Sequence, residues 1–186
     1  MKIIVGITGG SGAIYSVALL QAMKQLGIEA HLVMSHMGEK VLEHECGFTR
    51  EEISPYTSRI YDNKNLFAPI ASGTFKTDGM IIVPCSMKTL AAVAAGYSDG
   101  LLTRSADVTL KEGRKLVIVP RETPLSQIHL ENMLKLSRMG VTIMPASPGF
   151  YNHPQSIADI VGSMTGKMLD AFNIEHNISG RWGEDI

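Results

Sequence analysis

The chain has 186 residues, 45% hydrophobic and 19% charged, with 17 Lys and Arg against 18 Asp and Glu. These proportions suit one α/β domain with a good core, and a near-neutral charge without a basic tail or stripe argues against a nucleic-acid partner. No apolar run approaches the roughly 18 residues of a membrane span, and the opening Met-Lys-Ile-Ile-Val-Gly reaches turn glycines too soon for a signal peptide, so a soluble cytoplasmic protein is expected.

The stretch from Lys2 to Ala13 organises the rest. It begins with a short apolar run that suits a strand covered on both faces, as in a parallel sheet. Gly9, Gly10 and Gly12 then surround Ser11 ahead of an amphipathic helix over Tyr15 to Leu26. A glycine turn at a helix N-terminus lets backbone N–H groups close on an anion, and a phosphate is the natural guest. The turn lacks the Gly-Lys-Ser/Thr ending of nucleoside-triphosphate loops and misses the G-x-G-x-x-G spacing. Ser35, not an acid, stands at the end of the second strand, so a dinucleotide is disfavoured. With no ligand at all, the same glycines would serve as a tight strand-to-helix connection.

The alternation continues along the chain. Glu29 to Met34 reads as a second strand and Met37 to Cys46 as a helix, followed by a capping-box pattern at Thr49-Arg50-Glu51-Glu52. Periodicity fades from Pro55 to Thr77, apart from a possible edge strand at Ile60-Tyr61; so long a stretch reads as a lid or binding loop. Gly79 to Pro84 is a third core strand, leading through Cys85-Ser86-Met87-Lys88-Thr89 into a small-residue helix over Leu90 to Ala95. A helix over Leu101 to Glu112, a strand over Lys115 to Pro120, a helix over Leu125 to Met139, a strand over Val141 to Met144 and a helix over Ser156 to Phe172 follow. This order predicts a single doubly wound parallel sheet, flavodoxin/Rossmann-like, in a three-layer α/β/α domain with core strand order 2-1-3-4-5. Ligands of such sheets sit beyond the strand carboxyl ends, which would gather residues 8–12, Ser35, 85–89, Arg121-Glu122 and the loop 145–154.

Several residues carry plainer readings. Cys46 and Cys85 show no C-x-x-C pairing and are expected to be reduced, with Cys85 a small core residue. His44, His129 and His153 lack metal-ligand spacing and read as structural. Arg104 and Lys111, seven residues apart on one helix face, would by themselves be a solvated surface, as would Glu45 and Lys167.

Six segments then stand out in order: Thr-Gly-Gly-Ser-Gly-Ala (8–13), Pro-Cys-Ser-Met-Lys-Thr-Leu (84–90), Arg-Ser-Ala-Asp-Val-Thr-Leu-Lys-Glu (104–112), Pro-Arg-Glu-Thr-Pro-Leu (120–125), Ile-His-Leu-Glu-Asn-Met-Leu (128–134) and Pro-Gly-Phe-Tyr-Asn-His-Pro (148–154). Together they resemble the UbiX/Pad family of flavin prenyltransferases over essentially the whole chain. The resemblance implies transfer of a dimethylallyl group from dimethylallyl monophosphate to reduced FMN, without a metal, giving prenylated FMN for a UbiD-type decarboxylase. It also implies a homo-oligomer, commonly a dodecamer.

Carried onto this sequence, the resemblance assigns FMN contacts to Gly9, Gly10, Ser11, Ser35, Ser86, Met87, Lys88, Thr89 and Arg121. Tyr151 and Lys167 match prenyl-phosphate contacts, with Arg104 and Lys111 as further cations near that phosphate. Glu45, near the flavin, and Glu122, near the leaving phosphate, match acids used for proton handling; Glu45, Glu122 and Lys111 form the expected catalytic set. Gly10 and Ser105 each stand where the family usually has Ala. Where some members place an aromatic over the allylic cation this chain has Leu66, so either Phe67 or Trp182 substitutes or the contact is absent. A related flavin-dependent decarboxylase of peptidyl-cysteine or phosphopantothenoyl-cysteine type would resemble Pro-x-Ser-Ala-Asn-Thr where this chain has Pro-Cys-Ser-Met-Lys-Thr, which argues against it. A non-catalytic flavin carrier would not need the second set of phosphate-binding residues.

Overall fold

The computed structural model describes residues 1–180. Six strands, β1 (Lys2–Ile7), β2 (Glu29–Met34), β3 (Arg59–Tyr61), β4 (Gly79–Cys85), β5 (Lys115–Pro120) and β6 (Thr142–Ile143), form one parallel sheet in the order β3-β2-β1-β4-β5-β6. The expected core order is thus observed, with the short β3 added outside β2. All of β4, and all of β1 except Lys2, are buried, which explains their unbroken apolar sequences: both faces are covered.

One face carries α1 (Ala13–Gln25), α2 (His36–Cys46), the short α3 (Arg50–Ile53) and α7 (Ile157–Asp170), whose apolar residues pack with Ile3, Val5 and Ile7. The other carries α4 (Met87–Ala95), α5 (Leu101–Lys111) and α6 (Gln127–Arg138), packed on Ile4, Met80 and Ile82. The Thr49 capping box forms as read: Thr49 Oγ1 accepts from Glu52 N–H at 3.3 Å, and Glu52 Oε2 accepts from Thr49 N–H at 2.7 Å. Helix α4 starts three residues earlier than its apolar pattern suggested because Ser86 caps it, and β6 is shorter than its apolar run.

The strand order reverses between β1 and β4, and there the sheet is reinforced by side chains. Pro84 has no N–H to give the ladder, and the β4–β5 register shifts between Ile82 and Cys85. Two buried hydroxyls replace ladder bonds: Ser16 Oγ donates to Val83 O at 2.6 Å, while Thr8 Oγ1 donates to Pro84 O at 2.8 Å and accepts from Ser86 N–H at 2.7 Å. The β1 and β4 corners are therefore tied into one rigid floor. Gly38, in the first turn of α2, has no room for a Cβ against the Ile7 carbonyl, and this close approach brings the α2 N-terminus to the same place.

Of the two readings of segment 55–77, a lid or a binding loop, the structure favours the second: Asn63 lines a cavity beyond the strand carboxyl ends and the far end of the segment is tied down. Arg114 donates to Phe75 O at 2.9 Å, to Gly73 O at 2.5 Å and to Thr77 Oγ1 at 3.3 Å, strapping the segment to the end of α5. Those carbonyls would otherwise lack partners, since the segment contributes only β3 and two single 3-10 turns. It forms a wall of the site.

Candidate active site

A cavity of about 530 Å³ opens beyond the carboxyl ends of β1, β2 and β4, lined by Gly9, Ser35, Ser86, Lys88 and Thr89 among the expected residues. Two helix N-termini converge on it. Ser35 Oγ caps α2 by accepting from Gly38 N–H at 3.0 Å, and Ser86 Oγ caps α4 by accepting from Thr89 N–H at 3.4 Å. The earlier N–H groups of each first turn have no intrahelical partner and carry the positive ends of two helix dipoles, a natural seat for a phosphate. Gly9 is required by space, because a Cβ there would lie 2.8 Å from Met37 Cβ. Gly10 is not: its Cβ would meet Pro84 and Cys85 at an ordinary 3.5 Å. Met87 shapes the corner through its backbone and turns its side chain into the core.

The N-terminus of α1 behaves differently from expectation. Its N-cap is Gly12, in the left-handed region with no side-chain cap, and the anion there comes from the protein itself. Glu45 Oε2, at the end of α2, accepts from Gly12 N–H at 2.8 Å and from Ala13 N–H at 2.9 Å. Burial pushes the Glu45 pKa up, but hydrogen bonds from the Ser11 hydroxyl, Ala13 and Gly12, with the charge of Arg121, outweigh it and hold the carboxyl below its usual range. Arg121 reaches the same turn, its Nε donating to Ser11 O at 3.3 Å. The turn 9–13 thus joins a fixed carboxylate to a guanidinium, which leaves the N-termini of α2 and α4 as the anion-attracting helix ends that face the cavity.

Beside this turn, Arg121 and Glu122 line a second hollow of about 260 Å³ with Leu125, Pro145 and Ser147, where Glu122 Oε1 accepts from Thr123 N–H at 3.0 Å. Tyr151 and Lys167 share a third, of about 180 Å³.

Over residues 1–183 the chain matches the family described as Flavoprotein. It is 52% identical to the flavin prenyltransferase LpdB of Lactiplantibacillus plantarum over 99% of both chains. A dodecameric FMN-dependent UbiX-like decarboxylase from Escherichia coli O157:H7 superposes with a TM-score of 0.96 at 52% identity, over 98% of this chain and 99% of that one. The chain belongs to the UbiX-like flavin prenyltransferase family. Another solved member, AnUbiX (PadA1) in complex with FMN and dimethylallyl pyrophosphate, superposes with a TM-score of 0.96 at 43% identity, over 98% of this chain and 97% of that one.

Measured against the UbiX-like pattern, one chain brings only part of the expected site together. Arg104 is turned to the 55–77 wall, donating from Nε to Ala71 O at 3.3 Å and from Nη1 to Asp107 Oδ2 at 2.6 Å. Lys111 pairs with Glu112 Oε1 at 2.5 Å. Thr103, at the head of α5, lines the cavity beyond β1, β2 and β4, and eight residues at 1.5 Å rise put Lys111 about 12 Å farther down the helix. Within one chain, then, Lys111 does not line this cavity. Phe67 is fully exposed, and Trp182 lies outside the described residues.

The structure adds cavity residues that the sequence pattern did not single out: His36, Asn63, Asp99 and Thr103. Asn63 also caps α5, its Oδ1 accepting from Leu102 N–H at 2.8 Å and its carbonyl from Leu101 N–H at 2.7 Å. Gly100, directly before that helix, was the only local sign, since a Cβ there would lie 2.7 Å from Asn63 Nδ2. Cys85 is wholly buried and burial pushes its thiol far above the usual range, so it is a core residue and not a thiolate nucleophile. His129, the third residue of α6, closes its capping box, its Nδ1 accepting from Ser126 N–H at 3.2 Å. Among the described residues, no group of three or more His, Cys, Asp or Glu side chains could hold a metal ion, and no helix is long and apolar enough to cross a membrane.

Proposed function

We propose that the chain joins the dimethylallyl group of dimethylallyl monophosphate to reduced FMN and hands the prenylated flavin to a UbiD-type decarboxylase in the cytoplasm. The observation that carries this reading is the cavity at the β1/β4 reversal, where two helix N-termini and the bare Gly9 backbone suit a flavin monophosphate. Its volume falls in the usual range for small-molecule sites, roughly 300–1,000 Å³.

In this reading Ser35, Ser86, Lys88 and Thr89 surround the FMN phosphate, with Gly9, Gly10, Ser11, Met87 and Arg121 shaping the flavin-facing corner. Reduced FMN supplies nucleophilic N5 and C6. Glu45, held ionised, is suited to accept a proton at Oε1 or Oε2 near the flavin, and Arg121 balances its charge. Glu122, which lines the same hollow as Arg121, would deliver a proton to the departing phosphate. Tyr151, Lys167, Arg104 and Lys111 supply the hydrogen bond and fixed positive charge that the prenyl phosphate needs as its C–O bond breaks.

Because the cations of this second set lie on separate parts of one chain, the complete site is expected where subunits meet, with the 55–77 wall contributing to a neighbour. Exposed apolar side chains support assembly: Ile128, Leu130 and Leu134 on α6, together with Phe67, Phe150 and Ile157, are more than half exposed in the single chain. A dodecamer, as in the Escherichia coli relative, is the proposed state. Incubation with reduced FMN and dimethylallyl phosphate, followed by mass analysis of the bound flavin, tests the function. An added five-carbon unit supports it; unmodified FMN, with release of carbon dioxide from a cysteinyl peptide or phosphopantothenoyl-cysteine, would make the chain a decarboxylase instead. Light scattering that finds a fully active monomer would remove the shared site.

A further inference from the structure

After α7 the chain doubles back over its own helix. Gly162 and Gly166, one turn apart on α7, present bare backbone to the returning segment. A Cβ at Gly162 would meet Ile178 O at 3.4 Å, while one at Gly166 would lie 2.9 Å from His176 Cε1 and collide with Ser179 Oγ. His176 is the fastening. Its side chain is 1% exposed, and its Nδ1 accepts from Ile178 N–H at 3.2 Å, which places the ring hydrogen on Nε2. Nε2 then donates to Gly166 O at 3.0 Å, with Asp170 Oδ1 3.3 Å away. A buried imidazole engaged at both nitrogens holds residues 176–178 in one arrangement on the glycine-lined groove.

The same segment walls the cavity that contains Tyr151 and Lys167. His176, Ser179 and Gly180 form one side; Ser163, Lys167 and Asp170 of α7 form another. Lysine carries its charge on a flexible four-carbon stem, so its ammonium is precise only where packing limits its rotamers. We propose that His176 is a positioning residue for the prenyl-phosphate half of the site, fastening the segment 176–180 so that the cavity around Lys167 and Tyr151 keeps its shape. This rests on the reading of Tyr151 and Lys167 given above.

The test is steady-state kinetics on the full-length oligomer with dimethylallyl phosphate varied, alongside FMN binding followed by flavin fluorescence. His176→Gln, which loses the acceptor for Ile178 N–H, and Gly166→Ala, which fills the groove from the other side, should each raise KM for dimethylallyl phosphate about tenfold, equivalent to about 1.4 kcal/mol, with the Kd for FMN unchanged. Gly162→Ala, whose Cβ has nearly ordinary room, should stay close to wild type. Should Gly166→Ala not fold, His176→Gln alone decides. Wild-type KM in folded, FMN-binding His176→Gln would overturn the positioning role. Lys167→Ala and Tyr151→Phe separate the two claims: if they raise KM while the His176 and Gly166 variants do not, the positioning role fails and the half-site stands. If they too leave KM unchanged, the half-site reading fails first.

Discussion

Glu45 caps a helix 32 residues earlier in the chain, and removing it has a calculable cost. Helix α1 has no side-chain cap of its own, and two of its leading N–H groups, Gly12 and Ala13, are satisfied by Glu45 Oε2 at 2.8 and 2.9 Å. Loss of a helix cap costs about 1 kcal/mol, and loss of a negative charge at an N-terminus a further 0.3–1 kcal/mol at exposed sites. Glu45 is largely exposed, so water screens its attraction to Arg121 and nothing is added for that pair. Glu45→Ala should therefore destabilise the fold by about 1.5 kcal/mol. For a chain of this size that lowers Tm by roughly 3–6 °C. Glu45→Gln keeps an acceptor oxygen and should lose about half as much. Urea unfolding at pH 7 and fixed protein concentration, where m should not change, measures both. Because the folded Glu45 pKa lies below its unfolded value, its contribution is present above the ordinary carboxylate pKa and disappears as pH falls through the folded one. The gap between wild type and Glu45→Gln should therefore close in acid. An unchanged midpoint for Glu45→Ala at pH 7 would refute the long-range cap and leave Glu45 only its proposed proton chemistry.

Four further outcomes follow from the geometry. Ser105 Oγ is fully buried without a hydrogen-bond partner, so Ser105→Ala should raise stability by about 1 kcal/mol in calorimetry. His31 is held below its ordinary pKa by burial and by the charges of Lys2 and Arg59, against the pull of Glu29. The unfolded chain then takes up the proton first, so stability should fall as pH drops below about 6.5; a urea midpoint that is flat from pH 7 to 5.5, or an equal slope in His31→Gln, would contradict this. Gly9→Ala should weaken FMN binding at least tenfold by pushing against Met37, while Gly10→Ala should bind normally; equal affinities in a fluorescence titration would count against the cavity assignment. Turnover should persist in excess chelator and fall sharply in Lys111→Ala and Glu122→Gln with FMN binding kept; activity abolished by chelator and restored by magnesium would overturn fixed cations as the source of charge.

The fold was legible in the sequence because its signals are local. Apolar runs at 2–7, 29–34, 79–84 and 115–120 need cover on both faces, and helical periodicity between them leaves a doubly wound parallel sheet as the economical solution. Once that order is known, the ligand end of the sheet follows from topology, so Gly9, Ser35 and Ser86 could be placed at one cavity from spacing alone. Contacts made by long side chains across the chain could not be read in this way. That Glu45 fills the anion place at α1, and so leaves α2 and α4 as the proposed phosphate seat, depends on α2 bringing its last turn back to Gly12 and Ala13. Arg114 strapping the 55–77 wall, Asn63 capping α5 and His176 fastening the C-terminal segment are likewise pairings over 10 to 41 residues, with no periodic trace. Only packing in three dimensions decides which distant donor meets which acceptor. It also decided that Lys111 lies away from the cavity that Thr103 lines, because a helix carries its last residue away from its first by a fixed rise whatever chemistry the sequence assigns to both ends.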